Sequence, residues 1–401
     1  MHTLVVATDY PWPRNSGSRL RLENTVTALA GLGPVDLFSA VSDTRTDFAD
    51  PPAHLGLRRV EHIGIDDRPP RAGDTARALL RPDMPFELPL RARPVVSLAL
   101  EAFRRGPYDL VWFFQMRAWV LAGECGPAPV VVDIDDLEDR KIAARASLPR
   151  PEGPSRRLRR LAGRLWNAED IRRWRRLHER AARHSAAALV CSELDARRAG
   201  MDGVRVIPNG YPAPDHPVGR DTVSSPPTVL FQGTLRYPPN ADAARFLVDE
   251  VGPHLRTAVP EAQIRLVGLA PPAVTALCDP PRVAVTGQVR DIVDELARAD
   301  LVVIPLRYGS GTRVKILEAF AHRIPVVSTT VGAEGLAVTA DTHLLVADEP
   351  EQIAAACARV LLDASLRRRL VDAAHALYES RYRSSVVQDE VAALAREITG
   401  S

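Results

Sequence analysis

Short apolar runs alternate with longer amphipathic stretches along this chain, in two series separated by a proline-rich break. Apolar runs this short cannot be buried helices and read as strands covered on both faces. Strand and helix patterns in alternation argue for parallel sheets with covering helices. The first series predicts strands near 3–7, 35–39, 58–63, 109–114, 129–134, 187–191 and 204–207. Its helices are expected near 18–32, 94–104, 116–122, 156–184 and 193–200. From Pro208 to Pro227 proline is frequent and periodicity is lost, which marks a linker. The second series predicts strands near 228–232, 263–267, 282–286, 301–305, 325–328 and 343–346. Helices are expected over about 241–251, 289–298, 313–322, 350–363, 365–378 and 383–398. The proline- and arginine-rich stretch from Asp66 to Pro85 is expected to be a surface loop.

A length of 401 residues suits two such domains, each able to bury a core without staples. The cysteines Cys125, Cys191, Cys278 and Cys357 have neither metal nor redox spacing and read as reduced thiols. The start of the chain reads as a strand, not a leader peptide, and no apolar run is long enough to cross a membrane. A cytoplasmic protein is the expectation. Abundant arginine, alanine and proline suggest a GC-rich bacterial genome.

The strongest chemical signal runs from Leu301 to Ala319. An apolar strand leads into Gly309-Ser310-Gly311-Thr312, and a helix carrying Arg313, Lys315 and Glu318 follows. Thr312 is the expected N-cap. Free N–H groups at a helix start attract an anion, and the two cations add to that field. Of the 52 basic residues only Lys141 and Lys315 are lysines, so a compact point charge is wanted here.

These residues, taken with others in order, resemble the retaining glycosyltransferases of family 4. The resemblance is carried by Val206-Ile207-Pro208-Asn209-Gly210 after Ser192-Glu193, then Leu230-Phe231-Gln232-Gly233 and Pro239-Asn240. Leu266-Val267-Gly268, Val285-Thr286-Gly287-Gln288-Val289, the loop just described and Gly332-Ala333-Glu334-Gly335-Leu336 complete it. It is dense over about 190–345 and sparser before. It implies the α/β GT-B fold, two Rossmann-like doubly wound parallel-sheet domains facing a central cleft. The division expected is an acceptor-binding domain at 1–210, a linker at 211–227 and a nucleotide-sugar domain at 228–380. A C-terminal helix at 381–401 would pack back on the first domain.

The resemblance implies transfer of a sugar from a nucleoside diphosphate to an acceptor hydroxyl, with no metal and no bound cofactor. Arg313, Lys315 and Glu318 would be catalytic. Gly17, Gly233, Arg236, Val289, Gly309, Ser310, Gly311 and Thr312 would line the donor together with Glu318. Glu318 aligns with the family's ribose-binding glutamate. The first glutamate of the family's pair falls at Ser310, a departure that touches recognition of the donor sugar. A salt bridge on the helix surface is the structural alternative for Glu318. A sugar-nucleotide epimerase or a non-catalytic binding module are the alternatives for the whole chain.

The run Val132-Asp133-Ile134-Asp135-Asp136, leading to Lys141, ends another strand. Its Asp-x-Asp pattern would suit a metal in a different glycosyltransferase fold, which the two-series architecture excludes. Asp136 and Lys141 are therefore placed toward the acceptor: a glycan, a lipid-linked glycan or a small molecule. An acidic helix cap is the structural alternative. Ser155 to His184 carries eleven arginines against Glu169, Asp170 and Glu179. It reads as basic amphipathic helix, either a solvated outer face whose stems cover apolar surface or a contact for an anionic membrane. No nucleic-acid motif accompanies it.

Overall fold

The computed structural model describes residues 1–68, 81, 83–147, 157–309 and 313–400. Ser310, Gly311, Thr312 and most of the expected 66–85 loop lie outside them. Two units result, one of Met1–Asn209 with Val387–Ser401 and the other of Gly210–Val386.

The first unit is built on a seven-stranded sheet. Its strands are β1 (Thr3–Ala7), β2 (Val35–Ser42), β3 (Arg59–Ile65), β4 (Leu110–Phe114), β5 (Val130–Asp135), β6 (Ala187–Val190) and β7 (Val204–Val206). Their spatial order is β3-β2-β1-β4-β5-β6-β7, parallel throughout. Strand periodicity sorts the apolar side chains between two faces. Leu4 and Val6 join Trp174, Leu177 and Ala181 of the Arg157–His184 helix. Val5 and Ala7 join Leu22 and Val26 of the Gly17–Ala30 helix, with Val391 and Leu394 of the Ser384–Thr399 helix.

The second unit holds β8 (Thr228–Gln232), β9 (Gln263–Val267), β10 (Val283–Gly287), β11 (Leu301–Ile304), β12 (Val326–Ser328) and β13 (Leu345–Val346). They run parallel in the order β10-β9-β8-β11-β12-β13. In each sheet consecutive pairing reverses at one place, between β1 and β4 and between β8 and β11. In doubly wound sheets ligands bind at the carboxyl ends of strands beside that switch point.

Several expectations need correction. The 289–298 helix is only Val293–Leu296, because the Asp291 carboxylate accepts from the Val293 N–H and closes a turn ahead of it. Val289 therefore sits in the loop after β10. The 241–251 helix instead spans Pro238–Arg245, relaxes into a π turn at Phe246–Val251 and continues as Gly252–Ala258. A helix at Glu138–Ser147 was not expected, since its charge run hides the apolar side. Among the described residues no helix is long and apolar enough to cross a membrane.

Candidate functional site

Three segments of the second unit meet at the carboxyl ends of β8 and β11. Gly233 follows β8, Gly309 follows the end of β11, and Val314–Ala321 forms the helix behind it. The N-cap of that helix is Arg313 and not Thr312. Arg313 has non-helical backbone, at φ −83° and ψ 83°, so the helix proper begins one residue later. Its guanidinium lies against Gly309, where a Cβ would stand 3.0 Å from Nη2.

Lys315 crosses over Gly233. Gly233 has φ +141°, and a Cβ there would stand 2.5 Å from Lys315 Cε and 2.8 Å from Nζ. The amine donates to Asn240 Oδ1 at 2.8 Å and lies 5.4 Å from the Phe231 ring centre. Burial pushes the Lys315 amine down to about 7; Arg313 adds to the shift and Glu318 opposes it. Among the described residues the amine is hydrogen-bonded to a neutral amide and is in no ion pair.

Beneath it Gly268, at φ +130°, packs on the backbone of Gly233, so that a Cβ on Gly268 would stand 1.8 Å from the Gly233 carbonyl oxygen. A side chain on Gly268 would have to move the Gly233 backbone, whereas one on Gly233 would be strained by its positive φ and would displace the Lys315 amine. Gly268→Ala is expected to cost about 3 kcal/mol through backbone strain and overpacking. A thermal melt of the purified variant checks this, and an unchanged melting temperature would refute the tight packing of these loops.

Glu318 stands one turn after Lys315 with both carboxylate oxygens engaged. Oε1 accepts from the Tyr211 hydroxyl at 2.7 Å, and Oε2 accepts from Gln232 Nε2 at 2.8 Å. Burial holds its carboxyl above the usual carboxylate range, opposed by these two hydrogen bonds and by Lys315. These bonds replace the surface salt bridge that was the structural alternative. Gln232 is buried, and its Oε1 has no hydrogen-bond partner among the described residues.

The other expected donor contacts are less engaged. Arg236 donates its backbone N–H to Leu269 O at 2.9 Å, while its side chain is exposed and in no ion pair among the described residues. Val289 is half-buried. Ser310, Gly311 and Thr312 lie outside the described residues.

Asn240, Tyr211 and Gln232 are the participants that sequence reasoning did not assign. Gln232 left a signal as a polar residue closing the otherwise apolar strand Thr228–Gln232, and Asn240 stood in the Pro239-Asn240 pair of the resemblance without a role, whereas Tyr211 left none.

In the first unit, Gly17 opens the Gly17–Ala30 helix, where Ser16 Oγ accepts from the Arg19 N–H at 3.3 Å. Arg19 in turn grips Asp47 through Nη1 at 2.6 Å. The ends of β4 and β5 carry strained backbone: Gln115 has φ +71° and Asp135 φ +62°. A register shift in β5 between Asp133 and Asp135 turns the latter aside. A cavity of about 30 Å³ lies there, lined by Gln115, Asp135, Asp136, Lys141 and Trp174 among others.

Lys141 pairs with Asp136 at 2.9 Å and Glu138 at 3.0 Å. Burial alone would lower its pKa, but these two carboxylates reverse the sign and hold it above the ordinary lysine value. The Asp135 carboxyl is pushed up, chiefly by burial and then by Asp136. Among the described residues no group of three or more His, Cys, Asp or Glu side chains is placed to hold a metal.

Residues 226–363 match the family model described as glycosyl transferases group 1. No curated protein matches the sequence. Among solved structures, the chain is similar to HepE of Anabaena in complex with UDP and glucose, at 17% identity and TM-score 0.62 over 98% of each chain. It is similar to a sucrose-phosphate synthase of Thermosynechococcus elongatus, at 17% identity and TM-score 0.70, covering 100% of this chain and 99% of that one. It is also similar to WaaG, a glycosyltransferase involved in lipopolysaccharide biosynthesis, at 17% identity and TM-score 0.61 over 100% of each chain. With two all-parallel α/β sheets and these neighbours, the chain has the GT-B fold, and within its second unit residues 226–363 resemble the glycosyl transferases group 1.

Proposed function

We propose that this protein is a retaining glycosyltransferase. It moves a sugar from a nucleoside diphosphate donor to an acceptor hydroxyl, in the building of a polysaccharide, glycoconjugate or natural product. The observation that carries the reading is one helix start presenting Lys315 over Gly233 and Glu318 one turn behind, at the switch point of a parallel sheet. The binding of UDP by HepE, as named, supports a nucleotide-sugar donor for this chain.

On this reading Arg313 and Lys315 neutralise the diphosphate as it leaves. Electrostatic stabilisation of a departing charge is the largest service such a site can offer. Glu318 receives the ribose hydroxyls, and the two glycines admit the ligand to the strand ends. Transfer needs no metal, because the helix start and two cations do that work. The first unit takes the acceptor beside Asp136 and Lys141.

The same proposal places the enzyme in the bacterial cytoplasm, with peripheral contact to an anionic membrane face through Ser155–His184. Within that helix Arg164, Leu165, Arg172, Arg175 and Arg176 face outward while Trp174, Leu177 and Ala181 are buried, which supports the contact.

Thermal melts with UDP, GDP, dTDP and ADP, in the presence of a metal chelator, test the donor assignment. One nucleotide at about 100 times its dissociation constant should stabilise the protein by roughly 2.7 kcal/mol. Glu318→Gln should keep the fold, since glutamine retains the volume, and weaken that nucleotide at least about tenfold, or roughly 1.4 kcal/mol. A folded wild type that responds to no nucleotide would sink the assignment. Product formed from donor alone, without acceptor, would point to an epimerase.

A further inference from the structure

Among the described residues Asn240 is the one buried polar side chain hydrogen-bonded to Lys315, and its amide orientation follows from its other partner. It is 6% exposed, on the first turn of the Pro238–Arg245 helix. Its Nδ2 donates to Thr234 O at 2.9 Å, and a backbone carbonyl can only accept. The amide orientation is thereby fixed, and Oδ1 must face the amine, which it does at 2.8 Å. The stem of Lys315 is confined from the other side by Gly233, where even a methyl group would collide with Cε.

Resting on the donor reading above, we propose that Asn240 is a positioning residue for Lys315. It holds the amine over Gly233 with a neutral acceptor, so that the positive charge is completed only when the diphosphate arrives and a proton is taken up with it. An aspartate in the same place would hold the amine as well but would neutralise it in advance. The charged groups acting on the amine are Arg313, which repels a proton from it, and Glu318, which favours one. Among the described residues β8 contributes the Phe231 ring, the turn after it the Gly233 backbone, and the Pro238–Arg245 helix Asn240, none of them charged. The depressed basicity of Lys315 agrees with this arrangement: near neutral pH a bound dianion restores the proton that burial removes.

The experiment is isothermal titration calorimetry of the full-length protein with the nucleoside diphosphate that stabilises it. It is run at pH 8 in two buffers of different ionisation heat, which counts protons. Wild type should take up more than roughly half a proton per nucleotide, as expected for an amine that titrates near neutrality when free and stays charged when bound. Asn240→Asp should bind at least tenfold more weakly with uptake close to zero, because its amine is already protonated. Asn240→Ala, which cannot add a charge, should lose at least threefold in affinity and keep the uptake; it also serves if the aspartate variant fails to fold.

Wild-type affinity and uptake in both variants would overturn the role of Asn240. Tight nucleotide binding by wild type without proton uptake would overturn the linkage and leave the donor reading standing. Absence of any nucleotide binding by folded wild type would remove the donor reading, and this inference with it.

Discussion

Lys315→Met is expected to stabilise the ligand-free protein and to remove most of its transferase activity. The two effects have one cause. Methionine keeps the unbranched stem that crosses Gly233 but carries no ammonium. Burial and Arg313 press the amine down to about 7 from an ordinary 10.5, so the folded chain binds that proton more weakly than the unfolded chain does. Between about pH 7 and 10.5 the unfolded state therefore holds the extra proton, and stability rises with pH across that window. Below it the charged form carries the whole penalty. The variant loses this slope, so its advantage over wild type should be largest near and below neutral pH and shrink toward pH 10. Activity should move the other way. Losing a charge that meets a desolvated diphosphate costs about 2 to 5 kcal/mol, or roughly 30- to 4,000-fold in kcat/KM. Melts from pH 6 to 10 and turnover with the identified donor provide the check. A variant of equal activity, or one less stable at pH 6, would defeat this account of the site.

Such a trade of stability for function is common where a site must hold a charge that the fold alone would avoid. Other features of the second unit have the same character. Gln232 carries a buried acceptor with no partner among the described residues, and Glu318 keeps a carboxylate in a buried place by engaging two neutral donors.

Much of the fold was legible because parallel strands buried on both faces write themselves as short apolar runs. The thirteen strands among the described residues were all anticipated, most within a residue or two, and so was their sorting into two parallel-sheet halves, though not the order of strands within each sheet. The helix that carries Lys315 and Glu318 was legible for a different reason, since an apolar strand, a glycine-rich stretch and a periodic run follow one another there. What stayed hidden came from distance in sequence. Tyr211 reaches Glu318 across 107 residues and Asn240 reaches Lys315 across 75, and no local pattern records either contact. Thr312 looked like a cap because its side chain suits one, yet the backbone of Arg313 leaves helical space and takes that position itself. The helix expected at Val289 failed because a single carboxylate, Asp291, could compete for the backbone N–H two residues on. The arginines of the 157–184 helix hid which of its faces was inner, since Arg173 is as buried as Trp174 beside it.

Arg21→Ala should be the most damaging single change in the first unit. Arg21 is 3% exposed and its partner Asp133 only 1%. The guanidinium grips Asp133 through Nε at 2.9 Å and Nη2 at 2.8 Å, and through Nη1 it donates to Ile207 O at 2.8 Å and Asn209 Oδ1 at 3.0 Å. One side chain thus joins the Gly17–Ala30 helix, the end of β5 and the segment following β7. Its removal leaves the Asp133 carboxylate buried without its cation, beside Asp135. Breaking a buried pair from one side costs about 3 to 5 kcal/mol. That is a large fraction of the roughly 5 to 15 kcal/mol that holds a domain together. At about 2 to 4 °C per kcal/mol for a unit of this size, the first unit should melt about 6 to 20 °C lower. A double substitution distinguishes an orphaned charge from a simple cavity. Removing both charges, as Arg21→Met with Asp133→Leu, should recover more than half of the loss, because the buried charge disappears with its partner. Equal deficits in the single and double variants would show that packing and not charge ties this helix to the sheet.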